Sequence, residues 1–257
     1  MDWPYQVGSV LPVNDAVEPS CERRPWPDDL LVVIPVFNHA RTVGDVAAEI
    51  MACGAQVLVV DDGSTDGSGD AARAAGADVI CLAANHGKAC ALRRGMDEAH
   101  QRGFGRVLSC DADGQHPLAA VLALISAAST APDTLFIGCR DMRGAPLISR
   151  FGRICSNCSS WLACGRWVGD SQSGLRIYPI PATNHLAVTA DRYCFEIEVL
   201  IRAAWRGIPI DRIQVPVLYP RDRISHFHKL HDNLRAARLF ARLLGLRLTR
   251  RHRPPSL

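Results

Sequence analysis

The sequence predicts an α/β protein: an open, mostly parallel sheet flanked by helices, in a single domain. Three observations carry this. Short apolar runs recur along the first half of the 257 residues, each bounded by turn-forming residues. A helical pattern separates each run from the next, the alternation expected of parallel β-α units. Polar side chains gather where the runs stop, and in open sheets of this kind ligands bind beyond the carboxyl ends of the strands.

In order along the chain, Met1 to Asp29 carries Pro4, Pro12, Pro19, Pro25 and Pro27 with no sustained period, and reads as an irregular lead-in. The strand candidates follow as Leu30 to Phe37, Gln56 to Asp61, Asp78 to Ala83, Arg106 to Cys110 and Thr134 to Gly138. Pro117 to Ala131 is the longest apolar candidate. Interrupted by serines and shorter than the roughly 18 to 20 apolar residues a bilayer requires, it is expected to be a core helix. In the second half, Asp170 to Arg176 is a polar loop entering a short strand, and Tyr193 to Arg206 has helical spacing. Ile208 to Tyr219 contains Pro209 and Pro216 in an apolar stretch, which suits an edge strand. Helical spacing returns from Phe227. The expected organisation is a lead-in over 1–29, one domain over 30–226 and a basic amphipathic helix and tail over 227–257.

A hydrophobic content of 48% permits one sizeable core, and a net charge of +3 does not call for a nucleic-acid partner. The charge is unevenly placed. From Arg221 onward nine Arg and one Lys face Asp222 and Asp232, an excess of eight that leaves the rest of the chain at −5. Ten cysteines lie in apolar stretches, such as Cys81, Cys110 and Cys139, with no signal peptide before them, and are expected to be reduced core thiols. Cys155 and Cys158 have C-x-x-C spacing but lack a second ligand pair, so buried helix thiols are expected there.

The residues at the strand ends are Asn38, Asp61, Asp62, Asn85, Asp111, Asp113 and Arg140. Any one of them could be a helix cap, but the set converging on one edge points to a site. Its sharpest element is Asp111-Ala112-Asp113-Gly114-Gln115-His116 directly after a strand. Two carboxylates so spaced suit a hard divalent cation, Mg²⁺ or Mn²⁺, shared with a diphosphate whose departing charge it would neutralise.

Together with Ile34-Pro35-Val36-Phe37-Asn38, Val60-Asp61-Asp62-Gly63-Ser64-Thr65-Asp66-Gly67 and Asn85-His86-Gly87-Lys88, this segment resembles family 2 glycosyltransferases, in order and in spacing. The match runs through Asp170 to Arg176 and Phe195-Glu196-Ile197-Glu198, covering roughly Leu30 to Leu244. Within the family it is similar to dolichyl-phosphate mannose synthases and, through Ser225-His226-Phe227 and Asp232-Asn233, to bacterial enzymes found with aryl-polyene pigment clusters. The resemblance implies a GT-A fold with a Rossmann-like nucleotide-binding half. It implies inverting transfer of a hexose from a UDP- or GDP-linked sugar to a lipid-linked acceptor, either a polyprenyl phosphate or a pigment lipid.

By the same resemblance Pro35, Asn38, Asp61 and Asp62 line the base and ribose pocket. Asp111 and Asp113 address metal, diphosphate and sugar, and Lys88, Arg140 and Arg221 add positive charge near phosphate. A hydroxyl acceptor needs a carboxylate base, whereas an ionised phosphate needs none. Asp170 is the base candidate and Glu198 a structural or sugar-positioning residue; both join Asp113 and Arg223 in the expected catalytic set. Cys194 and Glu196 stand where the pigment-cluster enzymes have aspartates. Arg221, Arg223, Ser225 and His226 resemble a loop that covers donor and acceptor phosphate, and arginine's planar fork suits that role.

Leu230, Leu234, Ala237, Leu239, Phe240, Leu243 and Leu244 form a stripe with Arg235, Arg238, Arg242 and Arg247 around it. Such a helix can rest on an anionic bilayer or pack on its own domain. The expected location is cytoplasmic, at the inner face of a membrane. Two other functions fit less well. A sugar-nucleotide nucleotidyltransferase would carry a glycine-rich basic loop after the first strand, where Val36-Phe37-Asn38-His39-Ala40 stands, and a non-catalytic nucleotide-binding scaffold has no need of intact Asp111 and Asp113.

Overall fold

A computed structural model describes residues 26–141, 147–192, 194–218 and 229–249. Arg221, Arg223, Ser225 and His226, and most of the lead-in, lie outside the described residues, as do the side chains of Asp232 and Asn233.

The five expected strands form with small changes at their ends: β1 Leu30–Val36, β2 Gln56–Asp61, β3 Asp78–Cys81, β4 Arg106–Ser109 and β5 Leu135–Arg140. The polar loop leads into β6 Arg176–Pro179, and β7 is Ile210–Val215. The helices are α1 Val43–Met51, α2 Ser68–Ala74, α3 Lys88–Gln101, α4 Leu118–Ala128, α5 Leu147–Cys164, the single turn α6 Ile180–Thr183, α7 Cys194–Trp205 and α8 Lys229–Leu248.

One seven-stranded sheet has the order β3-β2-β1-β4-β6-β5-β7. The pairs β1 with β2, β1 with β4, β2 with β3 and β5 with β7 are parallel, as the β-α alternation predicts. The proline-bearing stretch supplies β7 at an edge. What alternation did not predict is β6, which inserts antiparallel between β4 and β5. Because it runs the other way, its entry loop, Asp170 to Leu175, arrives at the same sheet edge as the carboxyl ends of its neighbours. That edge also holds the switch in strand order between β1 and β4, where ligands bind in open sheets.

The period of two in β1 divides the core. Leu30, Val32, Ile34 and Val36 face α1 and α4 residues such as Val43, Ala47, Val121 and Leu124, while Leu31 and Val33 join α3, α7 and α8 on the other side. In α1 the buried Val43, Val46, Ala47 and Ile50 keep one helical face, which is why this segment winds as it does. In the described part of the α8 stripe, Leu239, Phe240 and Leu243 are buried against α5 and α7, whereas Ala237 and the flanking Arg235, Arg238 and Arg242 are exposed; the side chains of Leu230 and Leu234 lie outside the described residues. Among the described residues no helix is long and apolar enough to cross a membrane.

The nine described cysteines are free thiols. Cys110, Cys139, Cys164 and Cys194 are buried as expected, but Cys81, Cys155 and Cys158 are exposed. The C-x-x-C pair lies on the outer face of α5, so the expectation of buried thiols fails there.

Candidate active site

The loops after β1 and β2 are shaped by side chains that accept main-chain hydrogen bonds. Asn38, in the left-handed region at φ 55°, receives Thr65 N–H on Oδ1 at 2.9 Å, and its own N–H donates to Ser64 Oγ at 3.0 Å. Asp61 Oδ1 accepts from Ser64 N–H, three residues on, at 2.8 Å and so fixes the turn between them. Gly63 has φ 74°, and a Cβ there would stand 2.6 Å from the Ala84 carbonyl carbon, so the turn admits only glycine. Asp62 is buried, and its two oxygens take His86 N–H at 2.9 Å and Gly87 N–H at 2.6 Å. It thereby fixes the loop that begins α3 and presents Lys88. Pro35 lies buried within β1, paired with Val60.

At the centre, Lys88 Nζ sits 2.6 Å from Asp111 Oδ1 and 2.8 Å from Glu196 Oε1. Burial alone would lower its pKa, but the two carboxylates outweigh that and raise it. The same ammonium overcomes burial at Asp111 and holds that carboxyl below its ordinary value. Asp113 fares differently. Burial, followed by the charge of Asp111, pushes it up to about 6, although its Oδ1 accepts from Gln115 N–H at 3.0 Å. His116 is buried with Nε2 4.0 Å from Asp111 Oδ2; burial pulls it down to about 4, so it is neutral at pH 7. The β6 entry loop closes the far side. A Cβ on Gly174 would lie 2.6 Å from Asp111 Cγ, so glycine is what lets the loop approach the carboxylate. Thr42 Oγ1 donates to Ala112 O at 2.6 Å and ties the β1 loop to the same segment.

Beside this cluster Arg140 grips Asp170 through Nε to Oδ2 at 2.7 Å and Nη2 to Oδ1 at 3.0 Å, while Arg153 Nη1 approaches Oδ2 at 3.7 Å. Burial pushes Asp170 up, and the Arg140 guanidinium more than offsets it, leaving the carboxyl below its ordinary value. A buried carboxylate held in a bidentate pair is a poorer proton acceptor than a free one, so the geometry weighs against the expected role of Asp170 as a base.

Glu198, expected as a structural or sugar-positioning residue, makes structural contacts. It is fully buried and saturated: Oε2 takes Thr189 N–H at 3.0 Å and Ala190 N–H at 2.6 Å, and Oε1 takes Arg202 at 2.7 Å and Arg242 at 2.6 Å. It joins α7, the preceding loop and α8, the structural half of what the sequence allowed.

Glu196, which the sequence placed only as a departure from a family pattern, is the α7 carboxylate that reaches the site. Two residues apart on a helix, Glu196 and Glu198 point to different sides, and nothing local says which side faces Lys88. Among the described residues Glu196 Oε2 and Tyr178 Oη are buried without a hydrogen-bond partner. Arg176 is buried with them and donates to Glu196 O at 2.7 Å and Ser171 O at 2.8 Å. The sequence does not single out Arg153 and Arg176 as site residues; an arginine inside an apolar or polar-loop segment is the signal each carries.

Among the described residues no group of three or more His, Cys, Asp and Glu gathers into a metal cage. The paired carboxylates, one raised by burial and by its neighbour's charge, fit a cation whose remaining ligands come from a diphosphate.

The sequence profile of glycosyl transferase family 2 matches residues 31–160. Glycosyltransferase AglJ of Haloferax volcanii is 30% identical over 77% of this chain and 65% of its own length. Polyprenol monophosphomannose synthase of Mycolicibacterium smegmatis is 28% identical over 84% of this chain and 87% of its own. Glucosyl-3-phosphoglycerate synthase of Mycobacterium tuberculosis, solved with Mn²⁺, uridine-diphosphate-glucose and phosphoglyceric acid, superposes with a TM-score of 0.63 at 24% identity, over 88% of this chain and 81% of that one, a likeness of fold. With half the sequence inside the family profile and the strand-end cluster in place, the chain belongs to glycosyl transferase family 2 and is a glycosyltransferase with a GT-A fold.

Proposed function

We propose that the protein transfers a hexose from a nucleotide diphosphate sugar, UDP- or GDP-linked, to a polyprenyl phosphate at a membrane surface, with inversion at the anomeric carbon. The observation that carries this is the division of the site: a carboxylate pair with a lysine on one side, and Arg140 and Arg153 around Asp170 on the other. The named relatives include an enzyme of polyprenol monophosphate, which supports the same acceptor class.

In this reading the loops built on Asn38, Asp61 and Asp62 receive base and ribose. Asp111 and Asp113 would hold Mg²⁺ or Mn²⁺, which, when bound, offsets the charge of the departing diphosphate. Lys88 moves its positive charge from Asp111 toward the phosphates as they bind, while Glu196 keeps it oriented. Arg140 and Arg153 bring the acceptor phosphate in line with the sugar. That phosphate is already ionised, so no carboxylate has to remove a proton, which agrees with a site whose carboxylates near the acceptor are committed to arginines. Arg221 and Arg223 remain candidates to close over the phosphates. The chain leads toward them where Leu218 N–H donates to Gln115 O at 2.8 Å, next to the metal loop.

The test is a hydrolysis screen of UDP- and GDP-sugars with Mg²⁺ or Mn²⁺, followed by labelled transfer into polyprenyl phosphate. Label entering the organic phase with one donor is expected. Label transferred only to a soluble phosphorylated acid would move the acceptor to the class of the structural neighbour.

A further inference from the structure

Of the two fates open to the α8 stripe, packing on the domain holds for Leu239, Phe240 and Leu243, which are core; a different helix carries more uncovered apolar surface. On α5 the residues Phe151, Ile154, Cys155, Cys158, Trp161 and Leu162 recur at helical spacing and are all exposed, Phe151 at 69% and Ile154 and Leu162 at 53% each. Trp167, in the turn that follows, is 48% exposed. Isolated exposed apolar residues are ordinary, but a continuous stripe with three large aromatics marks an interaction surface.

Its chemistry selects the partner. From residue 142 to 169 the sequence contains no Asp or Glu, while Arg150 and Arg166 are exposed on or just after α5. From the neighbouring α8, Arg247 donates to Leu162 O at the edge of the stripe. Trp and Phe on an apolar face flanked by arginine match the headgroup boundary of an anionic bilayer. A second copy of this chain is disfavoured, because a symmetric contact would set these arginines against one another with no carboxylate on α5 to answer them.

The reverse face of α5 adds an independent reason. It buries Arg153, beside Asp170, and Ser156, whose Oγ lies 2.9 Å from Ser171 Oγ in the β6 entry loop. One helix thus carries a lipid-compatible stripe outward and an acceptor-side arginine inward.

We infer that the exposed face of α5, with Trp167, is the surface that docks on an anionic membrane, placing the acceptor side of the site at the lipid boundary. The inference rests on the lipid-acceptor reading for its purpose but not for its test. The test compares the protein with a Phe151→Ser/Trp161→Ser variant in co-sedimentation with vesicles of phosphatidylcholine containing phosphatidylglycerol. Both side chains are exposed, and unchanged hydrolysis of the soluble donor verifies the variant's fold. Trp161→Phe, which keeps the apolar surface, serves as the conservative control.

Vesicle affinity is expected to fall roughly tenfold or more in the double variant, about the loss of one well-buried apolar side chain, and to be retained in Trp161→Phe. Unchanged vesicle binding overturns the inference, and a dimer that the double variant dissociates would assign the stripe to chain–chain contact instead. Vesicle binding that depends on the stripe without transfer to polyprenyl phosphate would sink the proposed acceptor and leave the docking surface standing.

Discussion

The loops after β1, β2 and β4 and the elements that follow β5 are held by different chemistry. In the first, carboxylates and an amide accept from main-chain N–H groups: Asn38 from Thr65, Asp61 from Ser64, Asp62 from His86 and Gly87, Asp113 from Gln115. In the second, carboxylates answer arginines: Asp170 with Arg140 and Arg153, Glu198 with Arg202 and Arg242. Main-chain donors exist whatever the sequence, so the first region is built from turns that tolerate change around them. The second region depends on particular partners 30 and 44 residues apart, as for Arg140 with Asp170 and Arg242 with Glu198, and losing one leaves a buried charge. Lys88 is the joint, paired to Asp111 on one side and Glu196 on the other.

The comparison predicts different failures in the two regions. The largest is at the carboxylate pair. Asp113→Ala is expected to keep the fold, since its side chain is only partly buried, and to lower kcat by about a thousandfold, as several kcal/mol of charge stabilisation disappear. Full activity in chelator without added metal would refute the metal role. Next, Glu198→Ala should destabilise the protein by about 3 to 5 kcal/mol, read as a lower denaturant midpoint, because it strands Arg202 and two N–H groups. If stability holds while kcat collapses, Glu198 belongs to the catalytic set.

A smaller effect is expected for Asp62→Asn. The amide can still accept one of the two loop hydrogen bonds, so the donor KM should rise about tenfold with turnover little changed. Reduced turnover at constant KM would show that Asp62 serves the chemistry. The mildest prediction is a pH effect. Asp113 must be ionised to hold a cation, and burial with Asp111 pushes it up to about 6. Activity at limiting metal should therefore decline as pH falls below that value and be partly restored by more metal. A profile flat to pH 5 would contradict it.

The same contrast explains what could be read from the sequence. The strand runs, the D-A-D-G segment and the turn signal of Asp61-Asp62-Gly63-Ser64 are local, each stating its geometry within a few residues. The antiparallel entry of β6 was not legible, because direction depends on which neighbours a strand finds. Nor was the choice between Glu196 and Glu198, which turns on how α7 is rotated against α3. Asp170 looked like a base because it is acidic and sits in a polar loop. Arg140, at the end of another strand, pairs with it, and that pairing exists only once β5 and the β6 loop meet.

The claim that the acceptor side receives an anion and supplies no base is tested most directly by offering a polyprenyl phosphate and the corresponding polyprenol in the same vesicles. The account predicts metal-dependent transfer to the phosphate and none to the alcohol, whose hydroxyl would need a free carboxylate that Asp170, paired with Arg140, does not provide. Comparable transfer to the alcohol, abolished by Asp170→Asn, would contradict it and restore Asp170 as the base.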